Sequence, residues 1–225
     1  MKRSTEGNSK INHLNKQEQH WENMFSNRPE MFGDDPSVAA IKSVETFKKE
    51  KLTNILELGG GQGRDSLFFA QSNFTVQVLD YSQSGVDSIT KQANILGLAQ
   101  SITVKKHDIR KPLPFKDESF DGCFSHMLFC MAFTTKELKS ISNEIHRVLN
   151  TSGINIYTVR HTEDADYGNG IHRGEDLYEI GGFIVHYFSR EKIKQLSAGF
   201  NILSIESFEE GPLPRKLFQV TLKKQ

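Results

Sequence analysis

The sequence predicts an α/β protein built on a single doubly wound sheet, mostly parallel, with an antiparallel hairpin at its C-terminal edge. Three observations carry that expectation. Short apolar runs alternate with helical patterns from Leu52 to Val159, which is the rhythm of a parallel sheet covered on both faces. A glycine cluster follows the first of those runs. The last two apolar runs are separated only by 209–214, a link too short for a crossover helix and suited to an antiparallel pair.

The elements follow in order. The segment from about Asn12 to Ser26 reads as a helix, with Leu14, Trp21 and Phe25 near helical spacing, and Pro29 with 32–36 ends it. Ser37 caps a second helix to about Lys51, with Val38, Ile41, Val44 and Phe47 on one face. Strands are expected at 53–58, 74–79, 101–107, 119–125 and 153–159, and helices through Gln71, at 82–96 and at 134–149. Two further strands are expected at 202–208 and 216–222. From His161 to His186 no period is evident and five glycines punctuate the chain, the pattern of a long functional loop. The expected organisation is a disordered tail at 1–10, then one domain over 11–225. That domain carries N-terminal helices at 11–51 and an insertion at 161–187.

Bulk composition narrows the function. The chain has 225 residues, 28 basic and 28 acidic, and a formal net charge of zero. A general nucleic-acid binder needs a basic field, so that class is not expected. No apolar run approaches the roughly 20 residues of a membrane helix. Two cysteines, Cys123 and Cys130, form no CxxC pattern, and a reduced cytoplasmic setting is the expectation. No tight metal-ligand spacing occurs, and no metal is expected.

The candidate site begins at Ile55-Leu56-Glu57-Leu58-Gly59-Gly60-Gly61-Gln62-Gly63-Arg64-Asp65, where a strand ends and a helix opens. Glycines let the backbone turn sharply and approach a ligand, and the helix start offers unpaired N–H donors. The spacing is G-x-G-x-G with Arg64 where a dinucleotide fingerprint places its last glycine, so a pyrophosphate is disfavoured. Asp80 ends the second strand, where an acid can accept both hydroxyls of a ribose. Asp108 and Ile109 end the third, where a carboxylate and an apolar face suit an adenine. Both acids could instead cap helices.

These residues, with Ser119-Phe120-Asp121 and Glu144-Ile145-x-Arg147-Val148-Leu149-x-x-x-Gly153, resemble the ordered motifs of class I S-adenosylmethionine (SAM)-dependent methyltransferases, from about Leu52 to Val159. The resemblance implies the seven-stranded sheet of that family. It implies that SAM is the methyl donor and S-adenosylhomocysteine the product. Glu57, Gly59, Gly61 and Gly63 would hold the methionine part, Asp80 the ribose with Tyr81 beside it, and Asp108 with Ile109 the adenine. It places the end of the fourth strand, Ser125 and His126, beside the transferring methyl.

No Asn/Asp-Pro-Pro-aromatic run stands there, nor the carboxylate used by metal-dependent catechol-type enzymes. His126 remains as a general base or as a group that orients the nucleophile, its alternative being packing or capping. His161 is a second candidate at the next strand end. Tyr167, His172 and His186 in the insertion would meet the substrate if the insertion is a lid, whose acids would favour a neutral or cationic acceptor. A small-molecule acceptor is the expectation. A macromolecular acceptor and a non-methylating nucleotide-binding protein are the alternatives.

Overall fold

The computed structural model describes residues 16–211 and 215–225; the expected tail, Leu14 and the 212–214 link lie outside them. Two helices lead in: α1 (Gln17–Asn27) and α2 (Val38–Lys49). Then come β1 (Asn54–Leu58), α3 (Arg64–Gln71), β2 (Thr75–Asp80), α4 (Gln83–Ile95), β3 (Ile102–Lys106), β4 (Phe120–Ser125), α5 (Thr135–Val148) and β5 (Leu149–Arg160). Three short strands follow, β6 (Ile171–Gly174), β7 (Leu177–Ile180) and β8 (Phe183–His186), then α6 (Arg190–Leu196), β9 (Phe200–Glu210) and β10 (Arg215–Lys224).

Among the described residues the main sheet has seven strands in the order β3-β2-β1-β4-β5-β10-β9. The first five run parallel, and β10 pairs antiparallel with both β5 and β9. Strands covered on both faces read as continuous apolar runs, and alternate residues supply opposite cores. Ile55 and Phe124 join a core with Phe47 and Phe69 of α2 and α3. Leu56 and Cys123 join the other, with Leu138, Ile141 and Ile145 of α5.

Local chemistry starts the helices where the sequence places them. Ser37 accepts the Ala40 N–H at 3.0 Å, Ser82 accepts the Gly85 N–H at 3.1 Å, and Thr134 forms a reciprocal cap with Glu137. The family-like pairs turn out to be clips. Asp121 accepts the Thr53 and Asn54 N–H groups, tying β4 to the entry of β1. Glu144 and Arg147 together bind Leu113 N–H, Leu113 C=O and Phe115 C=O, fastening the β3–β4 connection onto α5.

Four expectations are corrected. The core face of α2 is Ala39, Ala40, Ser43, Val44 and Phe47, while Val38 and Ile41 are exposed. The fifth strand starts at Leu149, because α5 runs straight into it. Helix α6 has no counterpart in the sequence reading. The insertion is not irregular throughout, since β6–β8 form an antiparallel meander. Strands of four residues are too short to display alternation. Their second link, Gly181-Gly182, has φ of +58° and +85°, the geometry that a two-residue hairpin requires and glycine supplies.

Candidate functional site

Three strand ends converge on one cleft. One wall carries Gly59 after β1, Leu79-Asp80-Tyr81 at the end of β2, and 107–110 after β3. The segment after β4 supplies Leu128, Met131, Ala132 and Phe133, and Gln17 and Glu18 of α1 lie over the opening.

The glycine turn is built for close approach. Gly61 has φ +57°, and a Cβ on Gly60 would stand 2.4 Å from Val78 Cγ1. The Gly61 N–H donates to Asp80 Oδ2 at 2.8 Å, and the Ser82 N–H donates to Oδ1 at 2.8 Å. Each oxygen keeps a lone pair for a further donor. Burial pushes the Asp80 carboxyl up to about 6 against those two bonds. Glu57 is also buried, and burial followed by the Asp65 charge pushes it up to about 8. Ser66 donates to its carboxyl, so Glu57 braces the turn from beneath and does not line the cleft.

Asp108 and Ile109 reach the cleft as expected, but both Asp108 oxygens carry Arg110. The guanidinium donates at 2.9 Å from Nε to Oδ1 and at 2.8 Å from Nη2 to Oδ2. Burial opposes the ionised form, and the Arg110 bonds outweigh it, holding Asp108 below the usual carboxylate range. Arg110 was not singled out in the sequence; its position two residues beyond Asp108 is the only signal for it.

At the end of β4, Ser125 is buried and its hydroxyl has no partner among the described residues. Leu128 packs onto Gly59, where an added Cβ would meet its Cδ1 at 2.9 Å. Spare carboxylate lone pairs on Asp80 and apolar walls at Ile109 and Leu128 fit an amphipathic nucleoside, and Ser125 lies outside the lining.

His126, the residue after β4, does not line this cleft. Its Nδ1 lies 3.0 Å from Thr158 Oγ1 and its Nε2 lies 3.0 Å from Glu210 Oε2. Neither Thr158 nor Glu210 was visible in the sequence as a site residue. His161 is buried at the end of β5, stacked 3.9 Å from Phe218, with its Nδ1 accepting the Glu163 N–H. It does not reach the cleft.

The insertion is bolted down by the residues expected to meet substrate. His186 is fully buried; Nδ1 donates to the Phe133 carbonyl at 2.7 Å and Nε2 accepts from Lys192 at 2.5 Å. Burial, then the Lys192 charge, pushes His186 down to about 4, so it is neutral at physiological pH. Tyr167 donates to Asp176 at 3.1 Å, and the exposed His172 ring contacts the Glu175 carbonyl at 2.9 Å.

Four of the acids there are paired: Asp164 and Asp166 with Arg160 of β5, Asp176 with Lys192 of α6, and Glu179 with Arg173 of the insertion itself. On the other side α1 joins the meander through Gln17. Its amide donates to the Gly182 carbonyl at 2.9 Å and accepts from the Ile184 N–H at 3.3 Å. Trp21 packs 5.1 Å from Phe183, and Phe25 lies beside Gly61.

Among the described residues no group of three or more His, Cys, Asp and Glu side chains is placed to hold a metal. No helix among them is long and apolar enough to cross a membrane.

Residues 55–153 match a family model described as a methyltransferase domain. No curated protein matches the sequence. Solved structures share the fold. A 1,6-didemethyltoxoflavin N1-methyltransferase from Burkholderia thailandensis is similar at TM-score 0.74 and 14% identity, covering 93% of this chain and 87% of that one. A SAM-dependent methyltransferase from Methanosarcina mazei is similar at TM-score 0.68 and 21% identity, covering 76% and 92%. TehB from Haemophilus influenzae is similar at TM-score 0.66 and 16% identity, covering 91% and 67%. Residues 55–153 thus match a methyltransferase domain, and the chain has the fold of these SAM-dependent methyltransferases.

Proposed function

We propose that this methyltransferase domain moves a methyl group from SAM to a small-molecule acceptor at the carboxyl ends of β1, β2, β3 and β4. The observation that carries the reading is the cleft itself. Gly59, Asp80 and Asp108-Ile109, from three successive strand ends, line one wall of it, and Asp80 is bonded to the glycine turn.

In this reading Asp80 accepts the ribose hydroxyls with the lone pairs that Gly61 and Ser82 leave free. Tyr81 and Ile109 flank the adenosine, and Asp108, held by Arg110, accepts the adenine amino group. Gly59, Gly61 and Gly63 give room for the methionine part above Glu57. When bound, SAM supplies a sulfonium methyl: the acceptor's lone pair forms the new bond to carbon as the C–S bond breaks onto sulfur. The protein's work is to hold the acceptor in line and exclude water.

Helix α1 and the 161–187 insertion serve as the cover. The shared attachment of the meander to α1 and to the segment after β4 supports that role. A covered site suits a small acceptor, as does the balanced net charge. The Burkholderia relative, solved with 1,6-didemethyltoxoflavin and S-adenosylhomocysteine bound, supports the same reading.

Calorimetry with S-adenosylhomocysteine and, in parallel, NAD tests it. Binding of the first and indifference to the second is expected. The reverse pattern would assign the cleft to a dinucleotide.

A further inference from the structure

We propose that Glu210, the last residue of β9, is the positioning residue of His126: it fixes the Nε2–H tautomer and leaves Nδ1 as the basic atom. The inference rests on the methyl-transfer reading above and adds to it the residue that would make His126 a competent proton acceptor.

The hydrogen bonds put a proton on Nε2, and in the neutral ring they leave Nδ1 as the acceptor from Thr158. Thr158 Oγ1 already accepts the Met127 N–H at 2.8 Å, and its own proton is free to donate to His126 Nδ1 at 3.0 Å. On the far side Nε2 faces Glu210 Oε2 at 3.0 Å. An ionised carboxylate only accepts, so Nε2 carries the hydrogen. Glu210 is held below the usual carboxylate range: burial opposes the charge, and the His126 hydrogen bond, the His126 charge when the ring is protonated, the Arg64 charge and the Val38 N–H together outweigh it. Three separate elements therefore converge on one imidazole. The end of β4 supplies the ring, β5 the hydroxyl and β9 the carboxylate.

The consequence concerns the acceptor. An O–H, N–H or S–H group that gains a methyl must give up its proton. An acceptor that reaches from the cleft to His126, which does not line it, would pass that proton to Nδ1 in place of the Thr158 O–H. The hydroxyl then keeps only its bond from Met127, and the imidazolium is held by the Glu210 charge. A carboxylate that orients the ring and faces its charged form is the usual way a neutral histidine is made an effective base. Nothing in the sequence near His126 announces the partner, because it arrives with the C-terminal hairpin.

The test reads the tautomer directly, by long-range proton–nitrogen correlation on the whole chain labelled with ¹⁵N-histidine. Wild type should show His126 protonated at Nε2 alone. E210A should give a mixture of tautomers, and E210Q, whose carbonyl can still accept, should restore the single form. Its Nε2 proton should exchange roughly 10-fold faster, since a neutral acceptor replaces a charged one. T158V should keep the Nε2–H form.

A folded E210A with the wild-type tautomer and exchange rate would overturn the proposal, as would a tautomer that changes in T158V instead. If E210A does not fold, an unchanged exchange rate in E210Q overturns it. S-adenosylhomocysteine calorimetry on the same samples separates the two readings. Loss of binding in wild type sinks the methyl-transfer assignment, whereas the tautomer pattern bears on Glu210 alone.

Discussion

Asp80→Ala should separate ligand affinity from fold stability, because the structure places the two effects on different atoms. Raising the carboxyl from 3.8 to about 6 means that its charged form is disfavoured in the unliganded fold by about 3 kcal/mol, at about 1.4 kcal/mol per pH unit. Removing it relieves that cost but strands the Gly61 and Ser82 N–H groups, at about 1–3 kcal/mol each. The balance lies between a gain of about 1 kcal/mol and a loss of about 3 kcal/mol, so the melting temperature of the unliganded variant should rise by a few degrees at most or fall by up to about 10 °C.

Affinity has no such offset. Each lost charge-assisted bond to a ribose hydroxyl is worth about 1.5–3 kcal/mol, or one to two decades in Kd. The pH dependence has a definite sign. A raised carboxyl favours the protonated folded state, so the unliganded fold loses stability as pH rises from 3.8 to about 6. S-adenosylhomocysteine needs the carboxylate, so its affinity should fall about tenfold per pH unit below 6 in wild type and stay flat in the variant. Calorimetry from pH 5 to pH 8 with parallel thermal melts reads both. A folded Asp80→Ala protein with wild-type Kd, or a wild-type Kd independent of pH, would refute the assignment.

Gly61→Val should abolish S-adenosylhomocysteine binding, since φ of +57° is strained for a branched residue; a folded variant with normal calorimetric affinity would remove the turn from the site. His186→Leu keeps the volume but cuts the bond to Phe133 and leaves Lys192 without its imidazole partner. It should destabilise the protein by about 2–4 kcal/mol in urea melts, and a loss below about 0.5 kcal/mol would show that the bolt is idle. Replacing 166–176 with a Gly/Ser linker removes β6 and the Arg160–Asp166 and Lys192–Asp176 pairs. Binding of S-adenosylhomocysteine should survive while transfer of labelled methyl from SAM to a small-molecule extract disappears; retained transfer would leave the insertion outside the reaction.

What the sequence conveyed and what it withheld follow from range. Asp80, Asp108 and the glycine turn sit at strand ends, where the strand–helix alternation fixes position locally, and both acids and Gly59 line the cleft. Burial was legible as well, since Ile55, Leu56 and Leu58 form a continuous apolar run. The failures share a different cause. Val38 and Ile41 are apolar but exposed, because α2 buries its two alanines and Ser43 against the sheet and small residues carry little periodic signal. The β6–β8 meander is made of strands shorter than the window in which alternation can be counted. Arg110 on Asp108 and Glu210 on His126 depend on side-chain geometry that spacing does not encode, the second across most of the domain.

The fate of the three histidines shows why residue type alone misplaces function. His126 and His161 follow strand ends and read as catalytic candidates, while His186 reads as a substrate contact in the insertion. Their surroundings differ in what they leave available. His186 has both nitrogens spent on a backbone carbonyl and a lysine, and burial with that neighbouring cation keeps it neutral, so it fastens the insertion to the wall of the cleft. His161 lies against Phe218 with Nδ1 bound to backbone.

Only His126 faces a carboxylate on one side and an exchangeable hydroxyl on the other. An imidazole bound to a fixed backbone carbonyl is locked, whereas one bound to a hydroxyl can trade that partner for an acceptor's proton. The same distinction governs the insertion's acids. Four of the six, paired with Arg160, Arg173 and Lys192, hold the cover together, and a net negative charge remains on it. Selectivity also comes from the shape beneath α1 and the meander, where the reciprocal Gln17 bonds set the distance between the two halves of the cover.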